Sequence, residues 1–163
     1  MGEPFADQPV AAWCTGFKVN DDIIATAGQC IEQSDLPFVR FVFGFDMLDA
    51  TTPVLTFNAD QVYTGTAVIA RQFTNEYDYC VVRVDRAITV ASSLPLRREG
   101  AVAVGTQVGV IGHPWGLPKK IAFGAHTLVR ANNADGYFTA NLDTYARNTG
   151  SPVFNEAESL VEG

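Results

Sequence analysis

The feature that most constrains this chain is a series of short runs of β-branched and aromatic residues that lack a helical period. The clearest run is Phe38–Phe45, in which Phe and Val recur, and both residue types favour strands. Gly, Pro, Asn and Asp separate such runs at short intervals. Many short strands with turn residues between them are typical of a barrel or a sandwich. The sequence therefore predicts an all-β protein.

The runs place the individual strands. Strands are predicted at Trp13–Val19, Ile23–Thr26, Val39–Phe45, Val54–Phe57, Ala67–Phe73, Cys80–Val84, Gln107–Gly112, Ile121–Val129, Phe138–Asn141 and Pro152–Phe154. One helical turn is predicted after Gly28, near Cys30–Gln33. The stretch Ser92–Gly105, which holds Pro95 and several charges, is interpreted as a crossover between two lobes.

Length and charge exclude several classes of function. A chain of 163 residues predicts one domain, or one domain in two lobes, and 47% hydrophobic against 18% charged residues argues against disorder. The net charge is −7, and the only basic pairs are Arg97-Arg98 and Lys119-Lys120, so nucleic acid is not an expected partner. Every apolar stretch is shorter than the roughly 18 residues of a membrane span, so no membrane partner is expected.

The three cysteines, Cys14, Cys30 and Cys80, imply one pair and a free thiol, or no pair. A bridge between Cys14 and Cys30 would close a short loop, contribute about 3 kcal/mol on the chain-entropy model, and imply an oxidising compartment. The expected location is therefore secreted or periplasmic, although the opening MGEP has no signal-peptide pattern. The spacing fits no zinc-binding pattern, and no metal or other cofactor is predicted.

The candidate chemistry is open when only residue types are considered. A nucleophilic hydrolase needs a nucleophile, a base, an orienting acid and donors for an oxyanion. The histidines are His113 and His126, and the candidate nucleophiles include Thr149 and Ser151. A single histidine is more often a structural hydrogen-bonding residue than a catalyst. These residues alone therefore indicate a β protein and leave hydrolytic activity as an open hypothesis.

Four segments change that interpretation. CTGFKVNDDIIATAGQC at Cys14–Cys30 resembles the histidine element of trypsin-like serine peptidases, and EYDYCVVRVDR at Glu76–Arg86 resembles their aspartate element. IGHPWGLPKK at Ile111–Lys120 and FTANLDTYARNTGSPVFN at Phe138–Asn155 resemble a loop and the nucleophile segment of the bacterial, glutamyl-endopeptidase-like branch. They occur in family order across nearly the whole chain. The resemblance implies two antiparallel β-barrels with the active site in the cleft between them.

The resemblance also sets expected boundaries. The N-terminal barrel is expected at about 9–91 and the C-terminal barrel at about 106–163. In the family the chain continues beyond the segment that Ser159–Gly163 matches, so the second barrel is expected to lack its C-terminal strand or strands. A missing strand leaves an exposed edge. A complementing C-terminal segment is therefore one expected partner.

Three positions of the catalytic triad follow from the resemblance. Asp78 matches the triad aspartate, which in the family is the buried acceptor that orients a histidine. The histidine position holds Gln29, whose amide does not titrate near neutral pH and cannot act as a general base, though it can hydrogen-bond to Asp78. The serine position holds Thr149, whose extra methyl group restricts χ1. Ser151 matches a structural serine.

Two further positions concern the oxyanion hole and the substrate pocket. Arg147 matches a glycine whose N–H forms the oxyanion hole together with the N–H at Thr149, and arginine is expected to disfavour the backbone conformation required there. Loss of one oxyanion donor costs about 10²–10³ in rate, and loss of a triad base or nucleophile costs about 10⁶. Asp143 matches the floor of the primary pocket, where it either selects basic side chains or is structural.

The sequence thus supports two main hypotheses. The first is an inactive serine peptidase homologue that binds a peptide or protein partner in the inter-barrel cleft. The second is an active endopeptidase with a rearranged site, in which Thr149 is the nucleophile and His113 or His126 the base. A third hypothesis, a purely structural secreted protein, has no adhesive repeat or basic face to support it. Cys80, where relatives carry a small residue, is interpreted as a buried structural thiol.

Overall fold

The computed structural model describes residues 4–133 and 136–163. In these ranges the regular structure consists of β-strands and short 3₁₀ helices at Gln33–Asp35, Ala59–Gln61 and Pro114–Gly116. The strands are β1 (Phe17–Asn20), β2 (Ile23–Thr26), β3 (Phe41–Val42), β4 (Val62–Tyr63), β5 (Gly65–Phe73), β6 (Asp78–Val84), β7 (Gln107–Gly112), β8 (Lys120–Asn133), β9 (Tyr137–Ala140), β10 (Val153–Asn155) and β11 (Leu160–Val161). No helix in the described ranges is long and apolar enough to cross a bilayer.

The first lobe contains β1 to β6. Its larger antiparallel sheet has the order β1-β2-β6-β5, and β3 and β4 form a separate two-stranded sheet. Side chains of the central strands alternate between the two faces of the larger sheet, so that Ile24, Val82 and Val84 point into two apolar clusters between the two sheets. Two register shifts in β5 mark β-bulges, which increase the twist of the sheet and bend it.

The second lobe contains β7 to β11. Its five antiparallel strands have the order β11-β10-β7-β8-β9. β7 is almost entirely buried because it lies between β8 and β10, and the lobe's core forms around Val102, Val108 and Val129. The end strands of this sheet are β9 and β11, and the outer side of β11 bonds to Pro95 and Arg97 of the crossover.

The segment between the lobes is tied to both of them. Leu94 N donates to Lys18 O of β1, and Arg97 N donates to Val161 O of β11, each at 2.9 Å. The Arg97 guanidinium also pairs with the carboxylate of Glu162, whose pKa it lowers. These bonds fix the crossover against both sheets.

The all-β prediction is confirmed, and the differences lie in individual strands. The strands at Ile23–Thr26 and Gln107–Gly112 have the predicted bounds. The strand predicted at Val54–Phe57 is wrong: this segment forms no strand, and only the neighbouring Pro53 makes an isolated bridge, to Met47. Two strands, β4 and β11, were not predicted, because two residues are too few for an alternating pattern to show.

Two other elements begin later in the chain than predicted, each for a local reason. The strand predicted from Trp13 begins only at Phe17, because Thr15 N donates to Thr149 O of the second lobe at 2.9 Å and draws the chain away from the sheet. The helical turn predicted near Cys30–Gln33 forms slightly later, at Gln33–Asp35, where Glu32 and Asp35 make a reciprocal capping box.

Candidate active-site region

Gln29 and Asp78 are brought together by the pairing of β2 with β6. Thr26, at the end of β2, lies opposite Cys80, so the turn that follows β2 meets the first residue of β6. Gln29 N donates to Asp78 Oδ1 at 2.9 Å, and Gln29 Nε2 donates to Asp78 Oδ2 at 3.0 Å. Both carboxylate oxygens are thus held by one residue.

The turn that carries Gln29 is held from its other side by Arg71. The Arg71 Nε atom donates to Gly28 O at 2.8 Å and to Ile31 O at 3.0 Å. Gly28 itself has no room for a side chain, because a Cβ there would lie 2.0 Å from Gln72 O. The contacts of Arg71 were not foreseen from the sequence, since the charge on β5 has no pattern that points to a turn about 40 residues earlier.

The chemistry of this pair follows from its donors. A glutamine nitrogen has no lone pair available for a proton, so Gln29 donates to Asp78 without the ability to accept a proton near neutral pH. Both side chains are exposed. The expectation of a buried aspartate at position 78 is therefore wrong, because the start of β6 lies beside the surface hairpin turn between Phe73 and Asp78.

The segment around Thr149 is a tightly bonded turn of the second lobe. The buried Asn148 donates from Nδ2 to Thr144 Oγ1 at 2.8 Å, and Ser151 Oγ donates to Asn148 Oδ1 at 3.4 Å. Gly150 has a φ of 85°, and a Cβ on it would lie 2.3 Å from Thr15 O. Only glycine fits at that position, and its contact presses the turn against the first lobe.

The backbone of Thr149 lies against the disulfide of the first lobe. Cys14 and Cys30 are bonded, with their Cα atoms 6.1 Å apart. Thr149 O accepts a bond from Thr15 N at 2.9 Å and lies 3.7 Å from Cys30 Sγ. Because Cys30 follows Gln29 directly, the structure brings the backbones of positions 29 and 149 to one region, with Asp78 bonded to the first of them.

Arg147 has a left-handed backbone conformation, with a φ of 71°. Arginine was expected to disfavour this conformation. The conformation is retained, at a cost of about 1–2 kcal/mol for a residue with a Cβ. The reason lies in the neighbours, since the turn is fixed by Asn148 and Gly150. Arg147 Nη1 donates weakly to Trp115 O at 3.4 Å. Within residues 4–133 and 136–163, neither Arg147 N–H nor Thr149 N–H donates to a protein acceptor.

Asp143 and the two histidines lie outside these contacts. Asp143 is exposed and makes no hydrogen bond to a described residue. His113 stacks on Phe45 with ring centroids 5.8 Å apart and donates from Nδ1 to Leu117 O at 2.9 Å. Burial lowers the pKa of His113 and favours its neutral form. His126 is exposed, and among the described contacts neither histidine bonds to Thr149.

Cys80 lies in the first lobe's core behind the site. Its exposed fraction is 0%, and burial raises the pKa of its thiol. A neutral, enclosed thiol packs as a small apolar side chain, which agrees with the structural role predicted for it.

The N-terminal segment lies over the loop that carries His113 and Trp115, a contact not foreseen from the sequence. Ala11 N donates to Gly116 O at 2.9 Å, and Lys120 Nζ donates to Gln8 Oε1 at 2.5 Å. The Lys120 ammonium also lies 4.8 Å from the ring centre of Phe5. These residues are about 100 positions apart, and no periodicity in the sequence relates them.

Comparison with known proteins supports the same architecture. The sequence matches the trypsin-like peptidase domain family over residues 14–161. Among solved structures, a Glu endopeptidase is similar at a TM-score of 0.66 and 16% identity, over 93% of this chain and 74% of the other. The thermostable serine protease AL20 from an extremophilic microorganism has a TM-score of 0.63 and 15% identity, over 91% of this chain and 74% of the other. The serine endoprotease from Yersinia pestis has a TM-score of 0.58 and 18% identity, over 90% of this chain and 44% of the other.

A search of the curated proteins found no sequence that matches this chain. At the identities seen among the solved structures, the likeness shows the fold alone. The family match, by contrast, spans nearly the whole chain, from the first cysteine of the disulfide to the last strand. The chain therefore belongs to the trypsin-like peptidase domain family.

Proposed function

We propose that this protein is a catalytically inactive trypsin-like peptidase homologue that binds a peptide or protein partner in the cleft between its lobes. The observation that carries the proposal is the pair of hydrogen bonds from Gln29 to both oxygens of Asp78. Asp78 here orients an amide, which supplies no general base for a hydroxyl nucleophile. Loss of a triad base costs about 10⁶ in rate.

The second-lobe half of the site adds to this argument. At the nucleophile position, Thr149 has no histidine bonded to its hydroxyl among the described residues. A secondary alcohol with a restricted χ1 and no base remains protonated at neutral pH. The alternative, an active endopeptidase with Thr149 as nucleophile, would need His113 to leave its bond to Leu117 O and its stack on Phe45.

Several exposed groups support a binding role. The N–H groups of Arg147 and Thr149 are available to a carbonyl oxygen of a bound chain. Phe73, Tyr77 and Tyr79 surround Asp78 and are 58%, 40% and 40% exposed. Exposed aromatic side chains and unpaired backbone donors are both suited to hold a peptide.

The proposal extends to compartment and to a second partner. The Cys14–Cys30 bridge favours an oxidising location, secreted or periplasmic. The edge of the second sheet at β9 is where a complementing C-terminal segment would pair, because β11 already bonds to Pro95 and Arg97 of the crossover.

Activity measurements test the proposal directly. The wild-type chain is expected to give no labelling with a fluorophosphonate probe and no cleavage of casein or of a peptide library. The triple variant Gln29→His, Arg147→Gly and Thr149→Ser is expected to gain measurable peptidase activity, because it restores base, nucleophile and a glycine at the oxyanion position. The matched control carries Gln29→Asn together with Arg147→Gly and Thr149→Ser, and it should remain inactive. Rapid stoichiometric labelling of the wild-type chain at Thr149 would contradict the proposal.

A further inference from the structure

A cavity of about 620 Å³ lies beside the first sheet, and Gln29, Asp78 and Thr149 are not among its lining residues. Its walls come from the N-terminal segment, β1, the β3 region and, in the second lobe, the end of β7 and β10. They include the aromatic side chains of Trp13, Phe17, Phe41, Phe43, Phe45 and Phe57. This cavity is called the β1–β3 groove below. A folded protein that leaves this much aromatic surface around an opening has room there for a ligand.

Two sheet edges border the β1–β3 groove. Among the described strands, β1 is the end strand of its sheet and pairs only with β2, while β3 pairs only with β4. Phe17 and Lys18 on β1 and Phe41 and Val42 on β3 all line the groove. Edge strands present unpaired N–H and C=O groups, which an extended chain can satisfy by β-strand addition.

The linker limits where such a chain can lie. Leu94 N donates to Lys18 O at 2.9 Å and covers the Lys18 end of the β1 edge. The other end of the groove, near Trp13 and Phe38, is open, since these side chains are 56% and 85% exposed. All of β1 extends roughly 13 Å at about 3.3 Å per residue, and its uncovered part is shorter, so a ligand would pair with β1 over fewer than four residues.

Charge at the groove indicates the chemistry of the occupant. Three cations, Lys18, Arg40 and Lys119, line it together with one carboxylate, Asp46, in a chain of net charge −7. Lys119 already pairs with Asp46 at 2.9 Å, and Lys18 Nζ donates to Ile88 O at 2.7 Å. Arg40 is exposed, and its bonds to the part of the chain that the structure describes go only to backbone carbonyls, those of Pro37 and Val39. Its positive charge is therefore left for a ligand.

We propose that the β1–β3 groove binds an extended segment of a partner protein by strand addition. The segment carries large apolar side chains at alternate positions, which contact the aromatic walls, and an aspartate or glutamate that reaches Arg40. The alternation follows from strand geometry, since successive side chains point to opposite faces and only one face meets the groove. This site does not rest on the state of Gln29 or Thr149.

Synthetic peptides test the proposal on the wild-type chain. The probes are Val-Thr-Val-Thr-Val-Asp-Asp, the same peptide ending in Lys-Lys, and the acidic peptide N-methylated at alternate residues, each with a fluorophore and measured by anisotropy. The acidic peptide is expected to bind saturably and roughly tenfold more tightly than the lysine peptide, because rim charges select between like and unlike partners. N-methylation removes backbone donors and is expected to abolish binding.

Variants test whether the charge of Arg40 contacts the peptide. Arg40→Glu is expected to weaken the acidic peptide about tenfold, while the matched control Arg98→Glu, at an exposed position outside the groove, leaves it unchanged. Four results would each overturn the proposal: no saturable binding, equal binding of the N-methylated peptide, equal loss in the Arg98 control, or sedimentation showing that a second copy of this chain already fills the groove.

Discussion

The two halves of the proposed catalytic region accommodate their substitutions in opposite ways. In the first lobe, Gln29 replaces the expected histidine and makes two unstrained bonds to Asp78. In the second lobe, Arg147 replaces the expected glycine and keeps a left-handed conformation with a φ of 71°. Nearby Trp115 is also left-handed, with a φ of 54°.

This difference identifies what fixes each half. The first-lobe half is held by side-chain bonds, those of Asp78 and of Arg71 to the carbonyls of Gly28 and Ile31. The second-lobe half is held by packing around it, mainly by the buried Asn148 and by Gly150 against Thr15. A residue with the wrong preference at position 147 is therefore tolerated at a cost in free energy, and the backbone donors stay in place.

The largest expected effect comes from the glycine that anchors each half. Gly28→Ala would place Cβ 2.0 Å from Gln72 O, and Gly150→Ala would place it 2.3 Å from Thr15 O at a φ of 85°. Both substitutions are expected to lower the free energy of unfolding by more than about 3 kcal/mol, because backbone must move in each case. Urea unfolding followed by tryptophan fluorescence measures the loss.

The control for these variants is Gly100→Ala. Gly100 has a φ of 70°, but no described residue lies within 4 Å of its added Cβ, so only the backbone preference is lost, at about 1 kcal/mol. If Gly28→Ala unfolded no more easily than this control, the turn at Gln29 would be far more adaptable than its contacts indicate.

A smaller effect, of opposite sign, is expected at Arg147. Arg147→Gly should raise the free energy of unfolding by about 1 kcal/mol, because glycine adopts a positive φ without the penalty that a Cβ carries. Thermal unfolding should show a higher midpoint. Arg147→Ala removes the same guanidinium but keeps the Cβ, so it is the matched control and should give no such gain. Equal gains in both variants would assign the cost to the arginine side chain rather than to its backbone.

The sequence predicted the fold and the two halves of the proposed catalytic region with different success. Short apolar runs such as Gln107–Gly112 predicted strands well, because a strand that is buried on both faces is a continuous apolar run bounded by turn residues. Gln29 and Asp78 were predicted to be close, and the bond between them follows from the register of β2 with β6. The Cys14–Cys30 pair, open on cysteine count alone, is bonded.

The rest depended on contacts that no local pattern encodes. The retained φ of Arg147 comes from packing of its neighbours, which overrides residue preference. The exposure of Asp78 and the hydrogen bond from Arg71 to Gly28 O depend on how the β5–β6 hairpin turns at the surface. The β1–β3 groove arises from the absence of pairing between two strands, of which β3 is only two residues long.

The smallest expected effect is the coupling between the side chains of Gln29 and Asp78. A double-mutant cycle with Gln29→Ala and Asp78→Ala isolates it, since the two residues are in direct contact. Both are exposed, so water replaces much of what the bond supplies, and the coupling should be only about 0.5–1 kcal/mol. The cycle Gln29→Ala with Arg83→Ala, at an ion pair elsewhere on β6, provides the reference and should show none. A coupling of zero between Gln29 and Asp78 would mean that the backbone N–H of residue 29 alone holds the carboxylate, and that the first-lobe half, like the second, is fixed by its main chain.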